Sequence, residues 1–207
     1  MKIRRQWAMP NSNTFEIEPI KQLIKKYAIG VIVDPFANSN KFGTITNDIN
    51  PAFDTTYHLD ATDFLKQLND NCADVVLYDP PYSPRQVAEC YKQFGHTVNM
   101  ETTQASYWSE QKKQISRILK PNGICITCSW NSGGIGMKYG FEIIEILLVP
   151  HGGWHNDTIV TVERKQTLIC SLTTKSPPRR KRRRSATSPT TRLTRSKQAS
   201  FMEPSGF

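Results

Sequence analysis

Ala73-Asp74-Val75-Val76-Leu77-Tyr78-Asp79-Pro80-Pro81-Tyr82 is the stretch that decides the fold. Its first six residues form a short apolar, β-branched run of the kind found in strands buried on both faces of a parallel sheet. Two consecutive prolines then end it, because neither has the N–H donor a ladder needs. Upstream, Gly30-Val31-Ile32-Val33-Asp34 is a second such run, stopped at Pro35, and Gly43-Thr44-Ile45-Thr46-Asn47 a third, closed by Asp48. Between and around them the apolar spacing turns helical. Ile20, Leu23, Ile24 and Tyr27 predict a helix over 18–27, with Pro19 in its first turn. Phe64, Leu65 and Leu68 predict a short helix over 62–68, and Ile115, Ile118 and Leu119 another over 108–119. Lys120-Pro121-Asn122-Gly123 reads as a stop before a strand at 124–129, and two more strands, 141–149 and 158–164, flank a turn-rich 150–157. Strands alternating with helices and finishing in a β-hairpin predict an α/β domain with a mostly parallel sheet covered on both faces.

Chemistry-bearing residues gather at the strand ends. Asp34, Asp48, Asp60 and the Asp79-Pro80-Pro81-Tyr82 turn follow or adjoin predicted strands, and in an open parallel sheet those ends share one ligand-binding rim. Each aspartate taken alone reads better as a loop or helix-capping residue than as a ligand-binding one. The turn is more specific. Its prolines withdraw two donors and leave a carboxylate, backbone carbonyls and an aromatic plane at one point. Such a group suits an exocyclic amine on a flat ring: Asp79 and the Pro80 carbonyl accept its two hydrogens and Tyr82 stacks on the ring. The lone pair of adenine's amine is delocalised, so fixing both hydrogens in a water-poor site favours a pyramidal nitrogen that can attack an electrophile.

At these residues the sequence resembles the adenine-N6 DNA methyltransferases that use S-adenosylmethionine, especially the small phage-type enzymes of restriction-modification character. The resemblance spans most of residues 5–165. It rests on Asp79-Pro80-Pro81-Tyr82, on Val33-Asp34-Pro35-Phe36-Ala37, and on Asp48 and Asp60. It implies a Rossmann-like methyltransferase fold, a seven-stranded sheet ending in an antiparallel hairpin. It further implies that Asp79, Pro80, Pro81 and Tyr82 are catalytic, that Asp34, Phe36, Ala37, Asp48 and Asp60 bind S-adenosylmethionine, and that the substrate is adenine in DNA, flipped out or single-stranded. The segment Trp7 to Asn11 with Thr14 and Phe15 falls where the family closes over the cofactor. Where the family reads Asp-Pro-Phe-x-Gly-x-Gly, this chain has Asp34-Pro35-Phe36-Ala37-Asn38-Ser39-Asn40, and asparagine is the non-glycine residue that best accepts positive φ. Only a short spacing separates Asp34 from Asp48, leaving little room for a crossover helix. Two other readings stay open: the same chemistry on RNA adenine, and a nucleic-acid-binding module whose cofactor loop has decayed.

The chain is 207 residues long, 38% hydrophobic and carries a net charge of +9. Residues 1–174 hold as many acidic as basic side chains, 17 of each, while 175–207 hold ten basic residues against Glu203. That segment, with Arg179-Arg180-Lys181-Arg182-Arg183-Arg184, is expected to be a disordered basic tail that attracts phosphates, following a catalytic domain over 1–170. No uncharged run of bilayer length exists, and the N-terminus lacks the apolar core of a secretory signal. Five scattered cysteines read as reduced thiols, placing the protein in a cytoplasm or nucleus. Metal sites are not expected: Cys125 and Cys128 lie three apart on a strand and face opposite ways, and His151 and His155 bracket a Gly-Gly turn. Gly133-Gly134-Ile135-Gly136 reads as a flexible loop beside Trp130 and Asn131, and residues 83–107 as an insertion looping over the target strand.

Overall fold

The computed structural model describes residues 1–94 and 105–167. In chain order its elements are β1 (Lys2–Arg5), α1 (Glu18–Tyr27), β2 (Ile32–Asp34), β3 (Ile45–Thr46), α2 (Ala61–Gln67), β4 (Ala73–Tyr78), α3 (Pro84–Gln93), α4 (Ala105–Ile118), β5 (Leu119–Ser129), β6 (Phe141–Val149) and β7 (Thr158–Lys165). Among the described residues the strands form one seven-stranded sheet in the order β1-β6-β7-β5-β4-β2-β3. All neighbours pair in parallel except β7, which runs antiparallel to both β5 and β6. The fold is therefore the expected α/β, Rossmann-like sheet with a terminal antiparallel hairpin.

Both faces of the sheet are covered, and the two-residue period of the strands divides the core between them. Val75, Leu77, Ile126 and Cys128 pack on one face with Phe15 and with Ile20, Leu23 and Ile24 of α1. Val76, Tyr78 and Cys125 pack on the other with Phe64 and Leu65 of α2 and Ile115 and Ile118 of α4. Cys125 and Cys128 thus do face opposite ways. Each fully buried Leu, Ile or Phe contributes about 1.5–3 kcal/mol by leaving water.

Several elements differ from the sequence reading. β1 has no apolar signature of its own, yet it pairs in parallel with β6 from Lys2↔Glu145 to Arg5↔Leu148. Its side of the sheet is fastened by Glu145, which accepts from Arg4 Nε at 2.6 Å, Lys26 Nζ at 2.6 Å and the Tyr27 hydroxyl at 2.7 Å. The Lys120-Pro121-Asn122-Gly123 stretch is not a loop before the strand but an irregularity inside β5. The register with β4 steps from Ala73↔Leu119 to Val75↔Ile124, and Asn122 takes a positive φ of 64°. The insertion begins as a helix and not a loop: Ser83 caps α3, accepting from Gln86 N, and Pro84 occupies its first turn. Residues 95–104 of that insertion, and the tail over 175–207, lie outside the described residues. The crossover from β2 to β3 has no helix, only turns, as the short spacing implies. No helix among the described residues is long and apolar enough to cross a membrane.

Candidate active site

Chain direction creates the cleft. From β2 the chain passes to β3 on one side, then returns to place β4 on the other side of β2. The carboxyl ends of β2 and β4 therefore flank a switch point, where open α/β sheets leave a crevice. Asp34 is the last residue of β2 and Asp79 the first after β4. Between them and the N-terminal segment lies a cavity of about 270 Å³, lined among others by Asn13, Thr14, Phe36, Asn40, Asp48 and Asp79.

The polar atoms around this crevice are unusually poor in partners. Four buried side-chain oxygens among the described residues lack a hydrogen bond; Asn13 Oδ1 and Asn40 Oδ1 belong to residues lining the cavity, and Asp34 Oδ2 is buried near Asp79 and Asp48, which do line it. Buried acceptors almost always find a donor, so three together ask for a ligand that brings N–H groups or positive charge. Asp34 is fully buried and its other oxygen accepts from Phe36 N at 3.1 Å. Burial pushes its carboxyl well above the ordinary range, that backbone bond opposes the rise, and the nearby Asp79 and Asp48 add to it. Burial likewise raises Asp79 from 3.8 to about 6, against the lowering effect of the Tyr82 and Thr14 hydroxyls. Two carboxyls raised chiefly by desolvation at neighbouring strand ends mark this crevice as a candidate site.

Backbone geometry fixes the loop after β2. Phe36 leans on Tyr78 with ring centroids 5.9 Å apart, and Ala37 is buried with its N–H on Asn47 O at 2.9 Å. Asn38 does adopt positive φ, 49°, and its N–H donates to Asp48 Oδ2 at 2.8 Å. Asp48 Oδ1 accepts from Asn50 N at 2.9 Å, so this carboxylate ties two turns together while still lining the cleft. Asn40, at the second glycine position, has no positive φ; its contribution is a buried, unpartnered side-chain oxygen. Asp60 is the N-cap of α2, accepting from Thr62 N at 2.8 Å, and its second oxygen accepts from the Tyr91 hydroxyl. It borders a side pocket of about 70 Å³ that shares Phe36, Asp48 and Pro81 with the lining of the cleft.

The Asp79-Pro80-Pro81-Tyr82 turn forms the wall between cavities. The Tyr82 hydroxyl donates to Asp79 Oδ1, Tyr82 N donates to Gln86 Oε1 at 2.7 Å, and Trp108 Nε1 donates to the Pro81 carbonyl at 3.1 Å. Tyr82 meets Trp130 edge-on at 5.5 Å. Beyond it opens a cavity of about 370 Å³ that shares Thr14, Tyr82 and Gln86 with the cleft's lining and is walled by Trp130, Trp154 and His155. The loop at Gly133–Gly136 is pinned, contrary to the expectation of flexibility. Glu163 accepts from Ile135 N at 2.6 Å and Gly136 N at 2.9 Å, and a Cβ on Gly134 would stand 2.3 Å from Glu163 Oε2. Sequence reasoning passed over Asn13, Gln86 and Trp154. The Ser83-Pro84 start signal places Gln86 in the first turn of a helix facing the motif, but nothing local marks Asn13.

Solved structures of similar architecture include three methyltransferases or their relatives. The 1,6-didemethyltoxoflavin-N1-methyltransferase of Burkholderia thailandensis, with bound 1,6-didemethyltoxoflavin and S-adenosylhomocysteine, is 11% identical, with a TM-score of 0.47 over 66% of this chain and 71% of that one. TrmN from Thermus thermophilus is 13% identical, with a TM-score of 0.45 over 72% and 49%. The N-methyltransferase NodS from Bradyrhizobium japonicum WM9 is 12% identical, with a TM-score of 0.47 over 76% and 100%. The chain spans about half the length of TrmN. At such identities and scores the likeness says nothing of chemistry. No family model and no curated protein matches the sequence.

Proposed function

We propose that this protein transfers a methyl group from S-adenosylmethionine to the N6 amine of adenine in DNA. The observation that carries the proposal is the switch-point cleft, lined by Asn13 and Asn40 with their unpartnered oxygens and by the Asp79-Pro80-Pro81-Tyr82 turn, with the unpartnered Asp34 carboxyl buried close to Asp79 and Asp48. Those acceptors fit the ammonium and sulfonium charges of the cofactor, with Phe36, Ala37 and Asp48 shaping the loop around it. Asp60, held by Thr62 and Tyr91, borders the side pocket and would hold the nucleoside end of the cofactor. When bound, the cofactor supplies an electrophilic methyl carbon.

The chain's own residues prepare the acceptor. Asp79 and the Pro80 carbonyl take the two amine hydrogens, which turns the nitrogen lone pair toward the cleft. Pro81 fixes the turn, and Tyr82, anchored by Asp79 and Trp130, offers its ring to the base. On methylation the nitrogen would have to shed one proton. A carboxyl poised near 6 accepts it and passes it to solvent at neutral pH. The basic residues of 175–207 draw in phosphates without reading sequence.

Two variants separate the halves of the site. Asp34→Asn should weaken S-adenosylmethionine binding at least tenfold in calorimetry, because a charge-assisted bond is worth about 1.5–3 kcal/mol. Asp79→Ala should bind the cofactor nearly as wild type and transfer no methyl group. Tight cofactor binding by Asp34→Asn, or undiminished transfer by Asp79→Ala, refutes the assignment.

A further inference from the structure

Three of the chain's four tryptophans are exposed in the neighbourhood of the cavity beyond Tyr82: Trp130 and Trp154 line it, and Trp7 lies against Gly152, two residues before Trp154. Trp154 is 103% exposed, Trp7 59% and Trp130 41%. The fourth, Trp108, shows the ordinary alternative: it is half-buried and its indole N–H is bonded to Pro81. Exposing three indoles in one neighbourhood costs solubility and gains nothing for the core, so the rim has the character of a binding surface.

The chain is built to hold them there. Strand pairing carries the N-terminal segment past β6, where Gln6 N bonds Leu148 O at 2.9 Å and Ala8 N bonds Pro150 O at 3.3 Å. His151 is buried beneath, its Nδ1 2.9 Å from Ala8 O and its Nε2 2.9 Å from Thr158 Oγ1. On that base Gly152 and Gly153 take φ of 73° and 59°, a left-handed pair that turns Trp154 outward. Trp7 lies against the same turn, its Nε1 3.5 Å from where a Gly152 Cβ would sit. Trp130 and Trp154 line one cavity with Asn11, His155 and Asn156, so its walls offer flat π-faces and polar edges, with few aliphatic surfaces.

We infer that this tryptophan rim is a stacking platform for unpaired bases, and that the substrate is a single strand or an unpaired stretch of nucleic acid. The inference rests on the reading of the cleft as a base-amine site and names the state in which that base arrives. Flat faces with amide and imidazole partners suit heteroaromatic rings and not lipid chains or an apolar helix. Ten basic residues in 175–207 supply the complementary charge for a phosphate backbone. In a duplex the bases on either side of the target keep their faces against each other, out of reach of Trp154. In a single strand every base has a free face to offer.

Fluorescence anisotropy on the full chain without cofactor tests this, using a labelled 12-nucleotide single strand, the same sequence as a blunt duplex, and an abasic strand of equal charge. The expected result is tightest binding to the single strand with quenched tryptophan emission, and binding weakened about tenfold for Trp154→Ala, largely restored by Trp154→Phe. The abasic strand should bind wild type and Trp154→Ala alike, since phosphates alone hold it. A duplex bound as tightly as the strand, or a Trp154→Ala variant with unchanged strand affinity, overturns the platform. Matched DNA and RNA strands tell which sugar is preferred. Binding as expected without methyl transfer would leave the platform standing and remove the methyltransferase reading. Efficient duplex methylation indifferent to Trp154 would do the reverse.

Discussion

An Asp79→Asn substitution keeps the shape of the side chain and removes its charge, so it separates what Asp79 does for folding from what it does for chemistry. Burial raises this carboxyl from 3.8 to about 6, which means it holds its proton more tightly folded than unfolded. Its contribution therefore falls as pH rises from 3.8 to about 6 and stays unfavourable above that. At pH 7 the ionised carboxylate costs about 3 kcal/mol as an upper bound; the cleft admits water, so roughly 1–3 kcal/mol is the working figure. Asparagine escapes that cost, and its Oδ1 still accepts from the Tyr82 hydroxyl. The variant should melt about 2–10 °C higher than wild type at pH 7, and the gain should shrink below about 1 kcal/mol near pH 4, where wild-type Asp79 is itself protonated. Methyl transfer should fall at least a hundredfold, because one acceptor has become a donor facing the amine. Thermal unfolding at both pH values beside a methyl-incorporation assay reads all three quantities. A variant less stable than wild type at pH 7, equally altered at both pH values, or still active would refute the reasoning.

Glu145 carries the opposite sign. Burial would raise its carboxyl, but the bonds from Lys26, Tyr27 and Arg4 outweigh burial and hold it at about 2. It therefore stabilises above its ordinary value of 4.5, and that contribution drains away as pH falls toward 2. Glu145→Gln should cost roughly 1–3 kcal/mol in urea unfolding at pH 7, with the deficit narrowing in acid; an unchanged midpoint counts against it. At Asn38, φ of 49° favours glycine or asparagine. Asn38→Gly should leave stability within about 0.5 kcal/mol of wild type and Asn38→Val should lose about 1–2 kcal/mol; equal denaturation midpoints for the two would show that the turn is not strained. Wild-type transfer rates should rise through an apparent pKa near 6 and then level, as Asp79 ionises; a flat profile from pH 5 to 8 would separate that group from the chemistry.

Much of this architecture is written locally. The helix over 18–27, the strand over 73–78 and the two proline-stopped strand ends each declare themselves within ten residues, because periodicity and proline chemistry act at short range. What stayed hidden depends on distant partners. Lys2–Arg5 becomes a strand only because β6 offers an edge and Glu145 gathers the charges of Arg4 and Lys26. The proline and asparagine at 121–122 look like a terminator, yet pairing with β4 on either side of them carries the strand through. Asp79, Pro80 and Tyr82 were legible as a site because the motif is contiguous. The unpartnered Asn13 and Asn40 were not, since an unsatisfied atom is visible only when all its neighbours are placed. Asp60 shows that a helix-capping aspartate can also stand at a pocket: it caps α2 and borders the side pocket.

The most direct measurement is to incubate the protein with methyl-labelled S-adenosylmethionine and unmodified DNA, single-stranded and duplex, then digest to nucleosides and identify the labelled one. Labelled N6-methyldeoxyadenosine, absent when Asp79 is replaced by alanine, is the expected product. Label on another base, or no label despite demonstrated cofactor and strand binding, would contradict the assignment of the Asp79-Pro80-Pro81-Tyr82 turn.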